Sequence, residues 1–141
     1  MSRIFLLDAS ALVALILREL GWKTIDIIAE SDLALTTPIA LVETFEICRR
    51  KKTGISQDEI RKLLNLKGIQ IVSVVEEDAA EAGYIYKKVA EHNSRSQVQI
   101  RVSLADVTLL AVGKRLEAIV VFSDNAWELI DLPGIEVQPF R

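Results

Sequence analysis

A chain of 141 residues, half of them hydrophobic and only three of them proline, is long enough to bury one core and too apolar to be a disordered tail or two linker-joined domains. Its one cysteine, Cys48, and one histidine, His92, exclude an internal disulfide, a zinc site built on several thiolates and catalysis by paired histidines. With 20 acidic against 17 basic residues the net charge is −3, so a polyanion would have to be held by a local group of cations.

Arg3 to Leu7 is a short apolar run suited to a buried strand, and Ala11 to Arg18 is expected to be helical. Asp8 divides this apolar stretch, no small-residue cleavage site follows, and neither half approaches the roughly 20 residues of a membrane span. A soluble, cytoplasmic protein without membrane association is therefore expected. Trp22 to Glu30 forms a second predicted helix and Leu33 to Thr36 a short strand. Pro38 suits the first position of a long helix reaching about Lys52, ended by Gly54. Ser56 with Glu59 is a capping-box signature for a helix to about Leu66, and the β-branched run Ile69 to Val75 predicts another strand. Glu76 to His92 opens acidic and closes with Lys87 and Lys88, the charge order that complements a helix dipole. Asn93 to Gln99 is polar and predicted as a loop. Ser103 to Leu116 is predicted helical, Ile119 to Phe122 a strand, Ala126 to Leu129 a helical turn and Ile135 to Val137 a last strand. Residues 1–141 are expected to form one α/β domain, a mainly parallel sheet of about five strands with helices on both faces. In such sheets ligands bind outside the carboxyl ends of the strands, where the topology reverses.

Asp8 and Asp124 fall where that rule points, Asp106 joins them if its helix begins beside the same edge, and Glu43 is a fourth candidate from inside a helix. Asp8 follows the first strand, Asp124 follows Phe122 by two positions, Asp106 lies in the first turn of its helix, and Glu43 lies in the Pro38 helix between Ile39 and Ile47. Carboxylates gathered without histidine or thiolate make a hard oxygen environment that suits Mg²⁺ or Mn²⁺. Such an ion would cancel their mutual repulsion, polarise a phosphoryl oxygen and activate a water. Each acid also has a purely local use: Asp8, Asp106 and Asp124 can cap the helices beside them, and Glu43 can be a solvated helix residue. Glu46 is the poorer ligand, because Arg50 one turn on offers it an ion pair.

In their order these segments resemble the PIN-domain family, and in particular the VapC-like toxin nucleases of VapBC-type toxin-antitoxin pairs. Leu6-Leu-Asp-Ala-Ser-Ala-Leu-Val-Ala-Leu15 is similar to the opening motif, Leu41-Val-Glu43 to the second, Ser103-Leu-Ala-Asp106 to the third and Val121-Phe-Ser-Asp124 to the fourth. The resemblance spans essentially the whole chain. It implies a PIN-like three-layer fold and a Mg²⁺-dependent endoribonuclease with Asp8, Glu43, Asp106 and Asp124 as catalytic and metal-binding residues. It implies further an RNA substrate, an antitoxin protein as partner and a homodimer. By the same matching Ser10 orients Asp8 or a metal-bound water, and Ser123 stands in for the hydroxyl residue that the family carries where this chain has Phe122. Ala126 and Trp127 also depart from the family pattern, and Asp124 is accordingly expected to act directly or through water.

Arg49, Arg50, Lys51 and Lys52 close the helix carrying Glu43, and Arg95 and Arg101 flank the polar loop before Asp106. These cations could hold phosphates on either side of the acids, or simply complement a helix C-terminus. Leu17, Leu20 and Trp22 could form an apolar patch for a partner, or core. Two other aspartate chemistries fail on residues: a phosphatase of the haloacid-dehalogenase type needs an acid where Ser10 stands, and a receiver domain needs an aspartate ending a middle strand. The alternative that stays open is a catalytically weak PIN module that binds RNA or a protein without cutting.

Overall fold

The computed structural model describes residues 3–123 and 125–141. The first strand, β1 (Ile4–Leu7), lies in the middle of a sheet with β2 (Leu33–Thr36) on one side and β4 (Ile119–Phe122) on the other. Outside them run β3 (Gln70–Ile71), next to β2, and β5 (Glu136–Pro139), next to β4. All four pairings are parallel, with Phe5 level with Ala34 and Ile119.

Parallel neighbours need crossovers, and helices supply three of the four. Helices α1 (Ala9–Leu17) and α2 (Trp22–Ser31) join β1 to β2, α3 (Pro38–Arg50) and α4 (Gln57–Leu66) join β2 to β3, and α5 (Glu76–Arg95) and α6 (Leu104–Leu116) carry the chain back to β4. A 3₁₀ turn over Asn125–Leu129 leads to β5. The chain thus winds outward from β1 to β3, then returns to the opposite side of β1. The reversal falls between β1 and β4, and their carboxyl ends meet there.

Alternation along the strands divides the interior into two layers. Phe5, Leu7, Ile119 and Val121 face a core closed by α1 to α4, including Leu12, Ile25, Cys48, Ile60 and Leu64. Leu6, Leu35, Val120 and Phe122 face the other core, closed by α5 and α6 through Ile85, Val89, Leu109 and Leu110. The expected fold class holds: a five-stranded parallel sheet between two helical layers. Among the described residues no helix is long and apolar enough to cross a membrane.

Several boundaries shift by one or two residues, the last strand among them, at Glu136–Pro139 in place of Ile135–Val137, and three differences have a plain physical cause. The strand expected over Ile69 to Val75 is ordered as strand only at Gln70–Ile71. It is an edge strand, and its partner β2 ends at Thr36, whose carbonyl accepts the Val72 N–H at 2.9 Å. Beyond that point Arg115 takes the Ser73 carbonyl and Asp78 takes the Val75 N–H, so β-branched residues run on without a ladder. Helix α5 reaches Arg95, taking in the first half of the polar stretch expected as a loop. Helix α1 begins at Ala9, two residues early, because Asp8 caps it.

Gly113 sets how closely α6 lies on the sheet, since a methyl group there would overlap the Val120 side chain and touch Leu6. Alanine is favoured over glycine within a helix by about 1 kcal/mol. Overpacking nevertheless outweighs that gain, and Gly113→Ala is expected to destabilise the fold by about 1–2 kcal/mol, read as a lower urea midpoint at unchanged m-value.

Candidate active site

Asp8 leaves β1 in extended conformation and ends the strand by donating its N–H to Val121 O of β4 at 3.2 Å. Its side chain caps α1: Oδ1 accepts the Ala11 N–H at 2.8 Å and the Ser10 hydroxyl at 2.6 Å. Asp8 as a whole is only 8% exposed. Burial pushes its pKa up from 3.8 to about 7; the Ser10 hydroxyl and the Ala11 N–H oppose the rise, and the charges of Asp106 and Glu43 add to it. Capping and membership of an acidic group are therefore not alternatives at Asp8.

Asp106 occupies the first turn of α6 in a capping box with Ser103. Ser103 Oγ accepts the Asp106 N–H at 3.1 Å, and the Ser103 N–H donates to Asp106 Oδ2 at 3.0 Å. Glu43 projects from α3, which Thr37 caps and Pro38 starts. It meets the same serine, whose hydroxyl donates to Glu43 Oε2 at 3.3 Å. Burial raises the Glu43 pKa first and the Asp106 charge second, while Ser103 and the Arg50 charge pull it down. Three carboxylates from three separate segments thus sense one another at the reversal of the sheet.

Asp124, the fourth expected acid, lies outside the described residues. Ser123, half-buried, stands two positions past Val121, the register partner of Leu7, and so at the same edge as Asp8. Among the described residues no three acid, histidine or cysteine side chains are already gathered in ligating geometry. Asp8 is turned toward its cap, Asp106 toward its box and Glu43 toward Ser103. The departures in the fourth motif have a packing cause: Phe122 and Trp127 are both buried, with ring centroids 5.6 Å apart.

Of the cations closing α3, Arg49 gives two hydrogen bonds to Glu46 at 2.6 and 2.8 Å, and Lys51 pairs with Glu19. The expected Glu46–Arg50 pair is the minor one, at 3.8 Å, because the residue three positions on reaches both carboxylate oxygens. Arg50 is exposed and is the cation of this run that Glu43 senses. Lys52 is exposed with φ of 54°, and Arg101 is exposed beside Ser103. The segment carrying Arg101 is clamped to α5. The Asn93 amide exchanges two hydrogen bonds with the Ile100 backbone, at 2.8 and 3.0 Å, and His92 Nε2 donates to Val98 O at 2.9 Å. Leu17 and Trp22 pack against the core and Leu20 is 80% exposed, so the apolar patch expected from these three reduces to Leu20.

Sequence reasoning missed the second use of Ser103, although the Ser-x-x-Asp spacing marked it as a cap. The Asn93 clamp carried no signal, because an amide that closes on a backbone seven residues away follows no helical or strand period.

The family model of the PIN domain matches residues 5–132. Among solved structures the fold is similar to VapBC2 from Rickettsia felis bound to a DNA fragment from their promoter, at TM-score 0.68 and 12% identity, covering 96% of this chain and 98% of that one. It is similar also to Mycobacterium tuberculosis VapC20, a Sarcin-Ricin loop cleaving toxin, at TM-score 0.66 and 16% identity over 89% and 93%. A toxin-antitoxin complex from Klebsiella pneumoniae matches at TM-score 0.65 and 16% identity over 99% and 98%. No curated protein matches the sequence.

Proposed function

Because the chain belongs to the PIN-domain family, we propose that it is a metal-dependent endoribonuclease, the toxin of a type II toxin-antitoxin pair. The observation that carries this reading is that Asp8, at the end of β1, has Glu43 and Asp106 near enough to raise its proton affinity, the latter two being joined through Ser103. A buried acid raised to about 7 beside two others is unfavourable for the fold by itself. Such a cost is expected where a cation is to be held.

The donor set fits Mg²⁺ or Mn²⁺, being carboxylate and hydroxyl oxygen throughout. Asp8, Glu43, Asp106 and Asp124 are the proposed ligands. When bound, the ion supplies charge that polarises the phosphodiester and acidifies the attacking water. The chain's own residues do the rest. The Ser10 hydroxyl donates to Asp8 and favours its ionised form; Ser123, at the neighbouring strand end, is assigned the same duty toward Asp124. Arg50, Lys52 and Arg101 are assigned to RNA phosphates, with Arg49 and Lys51 available once RNA displaces Glu46 and Glu19. Surface ion pairs of this kind are worth little, so the exchange costs little.

An antitoxin protein is the proposed partner, supported by the toxin-antitoxin complexes that share the fold. We assign the protein also to a homodimer, to the cytoplasm and to a single domain over residues 1–141. Purified protein incubated with assorted RNAs is expected to cut in Mg²⁺ or Mn²⁺ and to leave them whole in EDTA. RNA that is bound but intact under both conditions overturns the enzyme and favours the binding-module reading. Mg²⁺ at about 100 times its Kd is expected to stabilise the fold by about 2.7 kcal/mol, visible as a higher melting temperature.

A further inference from the structure

Ser103 touches two of the three acids at once, and elementary donor chemistry assigns every proton in the arrangement. An amide N–H can only donate, so at 3.1 Å Ser103 Oγ must accept from Asp106 N. A hydroxyl has one proton and two lone pairs; the amide takes one lone pair, and an ionised Glu43 can only accept, so the Ser103 proton goes to Glu43 Oε2 at 3.3 Å. The Ser103 backbone N–H goes to Asp106 Oδ2 at 3.0 Å. One residue therefore binds the carboxylate of α6 through its main chain and that of α3 through its side chain, across 60 positions of sequence.

We propose that Ser103 is a positioning residue for the metal site, holding Glu43 at a set distance from Asp106 so that the two carboxylates can converge on one cation. This rests on the nuclease reading above. A plain helix cap would need the Asp106 N–H and nothing more. The bond to Glu43 adds nothing to the cap itself, and it draws a like charge toward Asp106, an unfavourable placement that a cation between them would offset. The neighbouring segment is built to keep Ser103 in place, since Asn93 grips Ile100 three residues before it.

The test separates the cap from the positioning role by choice of substitution. Glycine is nearly as good an N-cap as serine but has no hydroxyl, whereas threonine keeps both the cap and the proton. Ser103→Gly is expected to lower the metal-free melting temperature by no more than about 2 °C. It is expected to weaken Mg²⁺ binding, measured by calorimetry on the full chain, by about tenfold. Ser103→Thr restores wild-type affinity. In a Glu43→Gln background the glycine substitution has no further effect on Mg²⁺ affinity. Wild-type affinity in Ser103→Gly, or equal effects with and without Glu43, overturns the proposal and leaves the nuclease reading standing. A wild-type protein that binds no Mg²⁺ at all, with or without RNA, overturns both.

Discussion

Asp8→Asn is expected to abolish RNA cleavage and, in the absence of metal, to raise the melting temperature at pH 8. Loss of a charged group from the reacting centre costs on the order of a hundredfold to a thousandfold in rate or more. The stability effect has the opposite sign for an equally simple reason. Burial lifts the Asp8 pKa from 3.8 to about 7, so the folded chain holds this proton more tightly than the unfolded one. Stability of the metal-free protein therefore rises as the pH falls from about 7 toward 4, and is lost as the pH climbs through 7. The charge costs at most roughly 4 kcal/mol at pH 8. Asparagine caps a helix as well as aspartate does, so the Ala11 bond survives and only the charge is removed. Thermal melts of both proteins in EDTA at pH 5 and pH 8 read the result: the variant gains at pH 8, and the gap narrows to less than half at pH 5, since Asp8 still ionises in the unfolded chain there. A variant that melts well below wild type at both values would assign Asp8 to the fold alone.

Arg115→Ala is expected to be the most damaging substitution outside the acidic group. Asp78 is 1% exposed and accepts Arg115 Nε at 2.9 Å and Nη2 at 3.0 Å, besides the Val75 N–H at 2.9 Å. The same guanidinium holds the Ser73 carbonyl at 2.9 Å, and so joins α6, the start of α5 and the end of β3. Removing it leaves a buried carboxylate with one N–H partner. Breaking a buried pair in this way costs about 3–5 kcal/mol, and the partial exposure of the arginine, 28% of its side chain, places the value near the lower end. Urea denaturation measures it. Replacing both partners, Asp78→Ala with Arg115→Leu, is expected to recover part of the loss because no charge is then stranded. A loss under about 1 kcal/mol for Arg115→Ala would mean that Asp78 finds water instead.

The strands Leu33–Thr36 and Ile119–Phe122 were legible to the residue, as were the caps Ser56 and Ser103. Each of these depends on groups within four positions of one another, and a chain carries that information locally. The acids were legible in a different way. Placement after a strand and at a helix start, together with a sheet wound through helical crossovers, points Asp8 and Asp106 to one edge, whereas Glu43, in the middle of α3, is brought to them by tertiary packing. Partner choice among close neighbours was less legible: Glu46 takes Arg49 ahead of Arg50, a difference of one residue in reach.

What the linear order could settle was the class of the fold, the edge at which Asp8 and Asp106 stand and the caps of its helices, all consequences of periodicity and of groups a few residues apart. Tertiary packing alone decided that β3 stops after two residues, since a strand lasts only as far as its neighbour offers a ladder. It decided also that Ser103 reaches Glu43 and that Arg115 reaches Asp78, contacts separated by 60 and 37 positions. The proton affinity of Asp8 belongs to the same class, because desolvation is set by whatever the rest of the chain brings against a side chain.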